Sequence, residues 1–371
     1  MTSSLPSPRI LLGPGPSSVS SRVLRALARE PIGYLDPELF EQLDRLRENL
    51  RAVFGTANPM TLPLTGTGMA GMECCLANFI EPGDQVVVGV NGFFGGRMVE
   101  IARRFGAEVT QVDAEWGTAL DPEAISRAVR SLARVKLVAA VHAETSTGVE
   151  NPLAPIAEIA HAHGALFLAD AVTSLGGMPV DIDKHGVDVC YSGTQKSVGA
   201  PPGLSPITVS ERALSAVESR TQPVGSWYYD LKLLRQYYDA PHLYHHTVPV
   251  NLYYALGEAL EEILDEGLEA RFDRHREISR QLIAGLSELG IQPLVSEGIR
   301  LATLSTVRIP DRVSDEAAVR KRLLTDYGIE IGGGLGALKG KIWRIGTMGA
   351  SATRRNVLLL LAALREVLEP L

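Results

Sequence analysis

The sequence has few cysteines and no long hydrophobic run. Its three cysteines are Cys74, Cys75 and Cys190, and a secreted disulfide framework would need more of them in a regular spacing. The longest apolar stretches, such as Val357–Leu364, are far shorter than the ~20 residues of a membrane-spanning helix. The polar residues Met1–Pro8 do not resemble a signal peptide. We therefore predict reduced thiols, a cytoplasmic location and no membrane partner.

A basic surface is also missing. The chain has 36 Lys and Arg against 43 Asp and Glu, a net charge of −7, whereas nucleic-acid binding usually needs a basic balance or a basic block. The pair His161 and His163 is expected at a solvated helix end, and His245 and His246 are expected to form hydrogen bonds in a loop. Neither nucleic acid nor a metal is predicted as a ligand.

Glycine, in contrast, is abundant. The 371 residues include 36 glycines, whereas average usage of ~7% would give about 26. With 45% hydrophobic and 21% charged residues, the chain otherwise has the composition of a globular protein with a sizeable core. The excess glycine indicates tight turns or close approaches of the backbone.

Short apolar runs alternate with amphipathic stretches from about Thr61 to Val209. Such alternation predicts an α/β fold with a mostly parallel sheet, whose ligands lie at the carboxyl ends of the strands. The predicted strands are Thr61–Thr65, Gln85–Val90, Glu108–Val112, Lys136–Val141, Leu166–Asp170, Val187–Ser192 and Ser205–Val209. The predicted helices between them are Met69–Phe79, Gly95–Phe105, Asp121–Leu132 and Pro152–His163.

A smaller α+β unit is predicted for the C-terminal part. It would begin within a long helical stretch, Asn251–Leu289. The elements predicted after that stretch are Thr303–Arg308, Ser314–Tyr327, Gly328–Gly332, Lys341–Gly346 and Thr353–Leu368. We predict an N-terminal segment over residues 1–16, a large domain over 17–266 and a small domain over 267–371.

The segment Gly66–Gly71 follows a strand and opens a helix with the pattern G-x-G-x-x-G. This pattern suggests NAD binding, but the acidic residue expected at the end of the second strand is replaced by Asn91. Bare amides at a helix N-terminus bind a single phosphate equally well. The alternative is that these glycines only allow a tight turn to pack closely and bind no ligand.

Two further strand ends carry a charged residue. Asp170 closes the run Ala165–Ala169, where a carboxylate needs a cation or good donors; a turn cap is the alternative. Lys196 lies 26 residues further on, beside the hydroxyls of Ser192 and Thr194; a solvated surface lysine is the alternative. Together with the glycine loop these residues are the three anchors of pyridoxal phosphate, for its ring nitrogen, its aldehyde and its phosphate.

With these residues the chain resembles the class V aminotransferases of fold-type-I pyridoxal-phosphate enzymes, in particular the alanine–glyoxylate and serine–glyoxylate aminotransferases. The resemblance covers nearly the whole chain, and its ordered set of motifs is specific. These motifs are Leu12–Pro16, Asn91–Gly95, His142–Gly148, Asp170–Gly177, Ser192–Lys196, Tyr244–Thr247 and Trp343–Gly346. The resemblance implies a large domain with a seven-stranded, mostly parallel sheet and a smaller C-terminal α+β domain.

The resemblance also implies a set of site residues. Lys196 would form the Schiff base and shuttle the proton, and Asp170 would keep the ring nitrogen protonated. Arg344 would bind the substrate carboxylate; a surface arginine on a strand is the alternative. The remaining expected cofactor contacts are Thr67, Gly68, Met69 and Gln195 at the phosphate, Phe94 and Val172 on the ring faces, and Thr145 near the ring hydroxyl. Gly13 and Gly15 are expected to close over the substrate, and Tyr244 and Thr247 to reach the partner's phosphate in a homodimer.

The implied reaction is ping-pong transfer of an amino group from alanine or serine to glyoxylate or pyruvate. A specialised substrate, such as an aminophosphonate or a biosynthetic intermediate, is one alternative. Carbon–sulfur cleavage is another, disfavoured because Gln195 precedes the lysine where desulfurases have His, and because no cysteine follows Cys190. A NAD-dependent oxidoreductase is the remote alternative.

Overall fold

The computed structural model describes residues 7–369 of the chain. Its strands are β1 Ile10–Leu11, β2 Met60–Thr65, β3 Gln85–Val90, β4 Glu108–Asp113, β5 Val135–Val141, β6 Ala143–Glu144, β7 Val149–Glu150, β8 Leu166–Asp170, β9 Val189–Tyr191, β10 Leu204–Val209, β11 Leu304–Arg308, β12 Ile329–Glu330, β13 Gly332–Gly333 and β14 Ile342–Gly346.

The α-helices are α1 Ser21–Leu27, α2 Pro37–Phe54, α3 Gly68–Phe79, α4 Phe93–Arg104, α5 Pro122–Arg130, α6 Leu153–Ala162, α7 Ile182–His185, α8 Glu211–Glu218, α9 Leu231–Tyr238, α10 Val250–Glu266, α11 Leu268–Glu288, α12 Glu316–Tyr327 and α13 Arg354–Leu368. Short 3-10 turns occupy Glu297–Ile299, Gly336–Leu338 and Gly349–Ser351.

Seven strands form the central sheet in the order β2-β10-β9-β8-β5-β3-β4. Strand β10 runs antiparallel to its neighbours β2 and β9, and the other neighbouring strands are parallel. This arrangement confirms the predicted mostly parallel sheet of seven strands. The ends of the predicted strands differ from the observed ones by two residues at most.

Capping chemistry explains where several helices begin and end. Asp36 precedes α2 and accepts the N–H of Glu38, Pro37 takes the first helical position, and Gly55 ends the helix with φ 67°. Its leucines at positions 39, 43, 46 and 50 are buried, so this stripe packs into the core. Helices α5 and α8 begin in the same way, because the side chains of Asp121 and Ser210 accept N–H groups of the first turn.

The predicted single helical stretch Asn251–Leu289 is two helices. Gly267 separates α10 from α11 and has φ 83°, a backbone conformation that favours glycine over other residues. One hydrophobic cluster surrounds the seven-stranded sheet and reaches Ile263, whereas a second cluster surrounds the smaller sheet and includes Ile278 and Leu12. The domain boundary after residue 266 stays a prediction.

The smaller α+β unit contains the three-stranded sheet β11-β14-β13 and the pair β1-β12. The N-terminal strand β1, which we did not predict, pairs in parallel with β12 through Ile10 and Ile329. Leu12 belongs to the hydrophobic cluster of this unit. The chain then passes to the large sheet, where Ser17 Oγ donates to the carbonyl of Lys196 at 2.7 Å. Residues 1–6 of the predicted N-terminal segment lie outside the described residues.

The helices and the potential metal-binding side chains bear on possible partners. Over residues 7–369, every helix is too short or too polar to cross a membrane. Across the same residues, no group of three or more His, Cys, Asp or Glu side chains is placed to hold a metal ion.

Candidate active site

A cavity of about 180 Å³ lies at the carboxyl ends of the central strands. Every residue predicted to contact the cofactor lines this cavity, except Tyr244 and Thr247. Its lining residues are Thr67, Gly68, Met69, Met72, Phe94, Val141, Ala143, Thr145, Asp170, Val172, Thr173, Gln195 and Lys196. Residues distant in sequence meet here because parallel strands end at the same edge of the sheet.

Lys196 lies in the loop after β9 and is largely buried rather than solvated. Its Nζ donates a hydrogen bond to the carbonyl oxygen of Pro14. Burial and the nearby positive charge of Arg344 lower the pKa of Lys196 to about 8, and Asp170 opposes the shift. The neutral fraction near neutral pH is therefore larger than for a solvated lysine, and the neutral amine is the nucleophilic form.

Asp170 ends β8 and is 3% exposed. Its Oδ1 accepts the N–H of Val172 at 2.8 Å, so it also caps the following turn, and its Oδ2 accepts the hydroxyl of Tyr191 at 2.7 Å. Burial raises the pKa of Asp170 to about 7, although both hydrogen bonds favour the ionised form. Each carboxylate oxygen can accept a further donor from the cavity.

The phosphate-binding prediction concerns the start of α3. Helix α3 is 12 residues long, and the side chain of its N-cap residue Thr67 makes no hydrogen bond to the first turn within residues 7–369. The amides of that turn are therefore available to an anion. A Cβ on Gly68 would lie 2.8 Å from Cγ2 of Val172. Gln195 also lines the cavity, and its buried Oε1 has no hydrogen-bond partner in the described part of the chain. Turning the amide would present its NH₂ group instead, so this end of the cavity fits a phosphate.

Phe94 lines the cavity from the first turn of α4. The residue that holds it there is Glu144, which we did not predict. The N–H groups of Phe94 and Gly95 donate to Oε2 of Glu144 at 3.1 and 3.3 Å. Oε1 of Glu144 accepts the amide and hydroxyl of Ser146 at 3.0 and 2.6 Å. Glu144 is fully buried. Its position three residues after the apolar strand β5, close to a strand end as for Asp170, is the signal that could have identified it.

Arg344 lies on β14 and is 7% exposed, which rejects the alternative of a surface arginine. Its Nε donates to the carbonyl of Gly333 at 2.7 Å, and Nη1 donates to the carbonyl of Thr145 at 3.5 Å. Burial lowers the pKa of Arg344 to about 10, and Glu144 opposes this shift. These contacts use two of the five guanidinium donors, and Thr145 itself lines the cavity.

The segment Leu12–Gly15 runs between strand β14, which carries Arg344, and Lys196. The N–H of Gly346 donates to the carbonyl of Leu12 at 2.8 Å. A Cβ on Gly13 would lie 3.2 Å from Oε1 of Glu330. Gly15 has φ 115°, and its Cβ would lie 2.7 Å from Cδ of Lys196. The segment therefore covers the lysine closely.

Tyr244 and Thr247 lie on the protein surface. Tyr244 is 59% exposed, and its ring lies 5.2 Å from that of Tyr34. Thr247 is also exposed. The neighbouring side chains His245 and His246 are buried, and their Nδ1 atoms lie 2.7 Å apart.

A buried lysine, a buried carboxylate and a glycine-started helix around one cavity are the arrangement of a pyridoxal-phosphate enzyme. The sequence profile of the family described as aminotransferase class-V matches residues 24–351. The chain belongs to the class V aminotransferases.

Three relatives illustrate the similarity. The chain is 39% identical to (S)-ureidoglycine–glyoxylate transaminase of Bacillus subtilis, over 97% of this chain and 90% of the relative. It is 40% identical to alanine–glyoxylate aminotransferase of Oryctolagus cuniculus, over 97% and 93% of the two chains. The crystal structure of an alanine–glyoxylate aminotransferase from Nostoc sp. superposes with a TM-score of 0.97 at 44% identity, covering 100% of this chain and 98% of that one.

These findings confirm the predicted family and the fold-type-I architecture. They also confirm that the protein is an aminotransferase whose cofactor is pyridoxal 5′-phosphate. The individual roles predicted for the site residues stay predictions.

Proposed function

We propose that this aminotransferase transfers the amino group of a small amino acid, alanine or serine, to a small 2-oxo acid, glyoxylate or pyruvate, by a ping-pong mechanism. One structural observation carries the proposal: the buried Arg344 lies directly beside a cavity of about 180 Å³ that contains Lys196. A guanidinium binds a carboxylate through two parallel hydrogen bonds. The relatives named for glyoxylate support the choice of acceptor.

Lys196 and Asp170 carry the chemical roles in this proposal. When bound, pyridoxal phosphate supplies an aldehyde that receives the amino group and a ring that takes up the electrons released at the substrate Cα. Lys196 Nζ would hold the cofactor covalently and, once free, would carry the proton between the substrate Cα and the cofactor. Asp170 would keep the proton on the ring nitrogen.

Binding and orientation fall to the other residues. The amides at the start of α3, in Gly68 and Met69, bind the phosphate together with Thr67 and Gln195. Phe94 and Val172, which both line the cavity, would pack against the two faces of the ring. In the proposal, Thr145 contacts the ring hydroxyl and Arg344 fixes the substrate carboxylate, while Gly13 and Gly15 shield the cavity from water.

A second donor is favoured by one specific observation. The relative from Bacillus subtilis, 39% identical over 97% of this chain, is named for (S)-ureidoglycine as well as glyoxylate. The test is a panel of donors, alanine, serine and (S)-ureidoglycine, each assayed with glyoxylate and with pyruvate. Highest kcat/KM with alanine or serine supports the first proposal, and highest kcat/KM with (S)-ureidoglycine supports the second. Failure of all three donors refutes both.

The proposal includes a homodimer in which Tyr244 and Thr247 of each chain complete the phosphate site of the other. Its support is a surface region of exposed large hydrophobic residues, Trp227, Leu243, Tyr244 and Leu35, which are 64%, 51%, 59% and 47% exposed. A second copy packed against this region would remove these side chains from water. The predicted cytoplasmic location remains part of the proposal.

Subunit mixing tests the shared site. Lys196→Ala and the double variant Tyr244→Ala/Thr247→Ala are each expected to be nearly inactive. A mixed dimer has one site with Lys196 from one chain and Tyr244 and Thr247 from the other, so mixing should restore activity. If the mixture stays as inactive as its components, while native mass spectrometry of differently tagged chains shows that mixed dimers have formed, the two residues do not act across an interface.

A further inference from the structure

Tyr191 is the direct neighbour of Asp170 in the central sheet. Asp170 ends β8 and Tyr191 ends β9, and the two residues are paired in the parallel register of these strands. The phenol oxygen lies 2.7 Å from Oδ2 of Asp170. Tyr191 is fully buried. The single O–H group of the Tyr191 phenol therefore donates its hydrogen bond to the Asp170 carboxylate.

Tight packing fixes the tyrosine in this position. A Cβ on Gly71 would lie 3.0 Å from Cβ of Tyr191 and would also meet the hydroxyl of Ser205. The main-chain carbonyl of Tyr191 accepts the N–H of Ala171 at 2.8 Å. The third glycine of the Gly66–Gly71 motif therefore leaves room for the Cβ of Tyr191 beneath α3.

The charges around Asp170 show why a donor is needed there. Burial disfavours its ionised form, and so does the charge of Glu144; the two hydrogen bonds and Lys196 favour it. The result is a pKa of about 7, so the ionised and neutral forms are nearly balanced near neutral pH. Hydrogen bonds to an ionised group are about twice as strong as neutral ones. Loss of the Tyr191 hydroxyl would raise this pKa further and favour the neutral acid.

We propose that Tyr191 is a positioning residue that keeps Asp170 ionised and oriented, so that Asp170 can retain a proton on the ring nitrogen of the cofactor. This inference rests on the role of Asp170 in the proposed function. Tyr191 itself lies behind the carboxylate and outside the set of residues that line the cavity. Its effect reaches the cofactor through Asp170 alone.

Binding of two ligands to the apoenzyme tests this role without any assay of turnover. One ligand is pyridoxal 5′-phosphate, and the other is the analogue in which a CH group replaces the ring nitrogen. For Tyr191→Phe we expect about tenfold weaker binding of pyridoxal phosphate at pH 7, the scale of one hydrogen bond to a charged group. Binding of the analogue should change less than twofold, because it has no ring nitrogen for Asp170 to hold. The loss should be larger at pH 6.5 than at pH 8.5.

Two controls separate this role from a structural one. Tyr238 is also buried, and its hydroxyl bonds the carbonyl of Pro63 at 2.7 Å, remote from Asp170. Tyr238→Phe should bind both ligands in the same ratio as the wild type. Equal weakening of both ligands by Tyr191→Phe, or no weakening of either, would overturn the inference. If Tyr191→Phe does not fold, tyrosine at this one position can be replaced by 3-fluorotyrosine, a stronger donor, which should tighten pyridoxal phosphate alone; no change would overturn the inference.

Asp170→Asn distinguishes failure of the inference from failure of the proposed function. This variant should bind the two ligands with nearly equal affinity, because it cannot hold a protonated ring nitrogen. If Asp170→Asn still prefers pyridoxal phosphate as the wild type does, the role of Asp170 in the proposed function is wrong. If Asp170→Asn loses the preference and Tyr191→Phe keeps it, only the role of Tyr191 is wrong.

Discussion

Arg344 Nη1 donates to the carbonyl oxygen of Thr145 at 3.5 Å. This contact joins β14 of the smaller unit to the loop that follows β6 of the larger one. It places a guanidinium, which always carries a charge in water, at the edge of a cavity lined by Thr145 itself. The position of the arginine therefore depends on both units, and so does binding of a carboxylate there.

Arg344→Lys should raise KM for both amino donor and 2-oxo acid by about ten- to a hundredfold, since a lysine cannot make two parallel hydrogen bonds. Steady-state kinetics with each substrate would measure this. Arg308→Lys is the matched control, because Arg308 lies on the neighbouring strand β11 with its side chain exposed. An unchanged KM in Arg344→Lys would show that the substrate carboxylate is bound elsewhere.

The pKa of Lys196 predicts how cofactor attachment depends on pH. Attachment needs the neutral amine, so its rate in the apoenzyme should rise with pH and level off above about 8, the pKa of Lys196. Arg344 lowers this pKa through its charge, and Arg344→Gln should therefore move the midpoint to higher pH. Stopped-flow absorbance at a series of pH values gives both curves. A midpoint that does not respond to Arg344→Gln would contradict the proposed electrostatic coupling.

Gly15→Ala tests whether the N-terminal glycine segment positions Lys196. The added methyl group would lie 2.7 Å from Cδ and 2.8 Å from Cε of the lysine, and φ 115° costs a non-glycine residue about 1–3 kcal/mol. Gly83→Ala is the control: Gly83 has φ 89°, and among residues 7–369 a Cβ there meets no atom within 4 Å.

Both variants should lower the free energy of unfolding, as measured by urea denaturation. Gly15→Ala alone should slow attachment of pyridoxal phosphate, by tenfold or more. Equal attachment rates in the two variants would mean that Gly15 serves only the backbone conformation.

Glu144→Gln should destabilise the protein by roughly 3 kcal/mol. Both oxygens of Glu144 accept two hydrogen bonds each. The NH₂ end of glutamine would face two backbone N–H donors in one orientation and the N–H of Ser146 in the other. Urea denaturation measures the loss. Glu108→Gln on the edge strand β4, with an exposed side chain, should be neutral. If Glu144→Gln is also neutral, Glu144 is protonated in the native state and does not hold α4 as an ionised acceptor.

The seven central strands could be predicted within two residues because buried parallel strands are nearly continuous apolar runs bounded by turn residues. Strand β1 was missed because a two-residue strand has no periodicity, and it depends on pairing with β12, more than 300 positions away. The break at Gly267 had a visible signal, a glycine between two amphipathic halves, which the continuous helical pattern obscured.

Asp170 and Lys196 could be placed beside one cavity because each ends or follows an apolar strand, whereas Arg344 was expected from the resemblance to the family. The contacts of Glu144 and Tyr191 could not be predicted, because they depend on which strands are neighbours and on their register. Asn91, which argued against NAD, has a structural role: its Nδ2 donates to the carbonyl of Thr118 and to Oδ1 of Asn151, at 2.8 and 2.9 Å.

The most direct test of the account is to locate the cofactor on the chain and follow it through each half of the reaction. Borohydride reduction of the holoenzyme, followed by digestion and mass spectrometry, should place the cofactor's mass on the peptide that contains Lys196. Incubation with alanine or serine before reduction should abolish the label, and later addition of glyoxylate should restore it. A label on another lysine, or one that persists after both donors, would contradict the account.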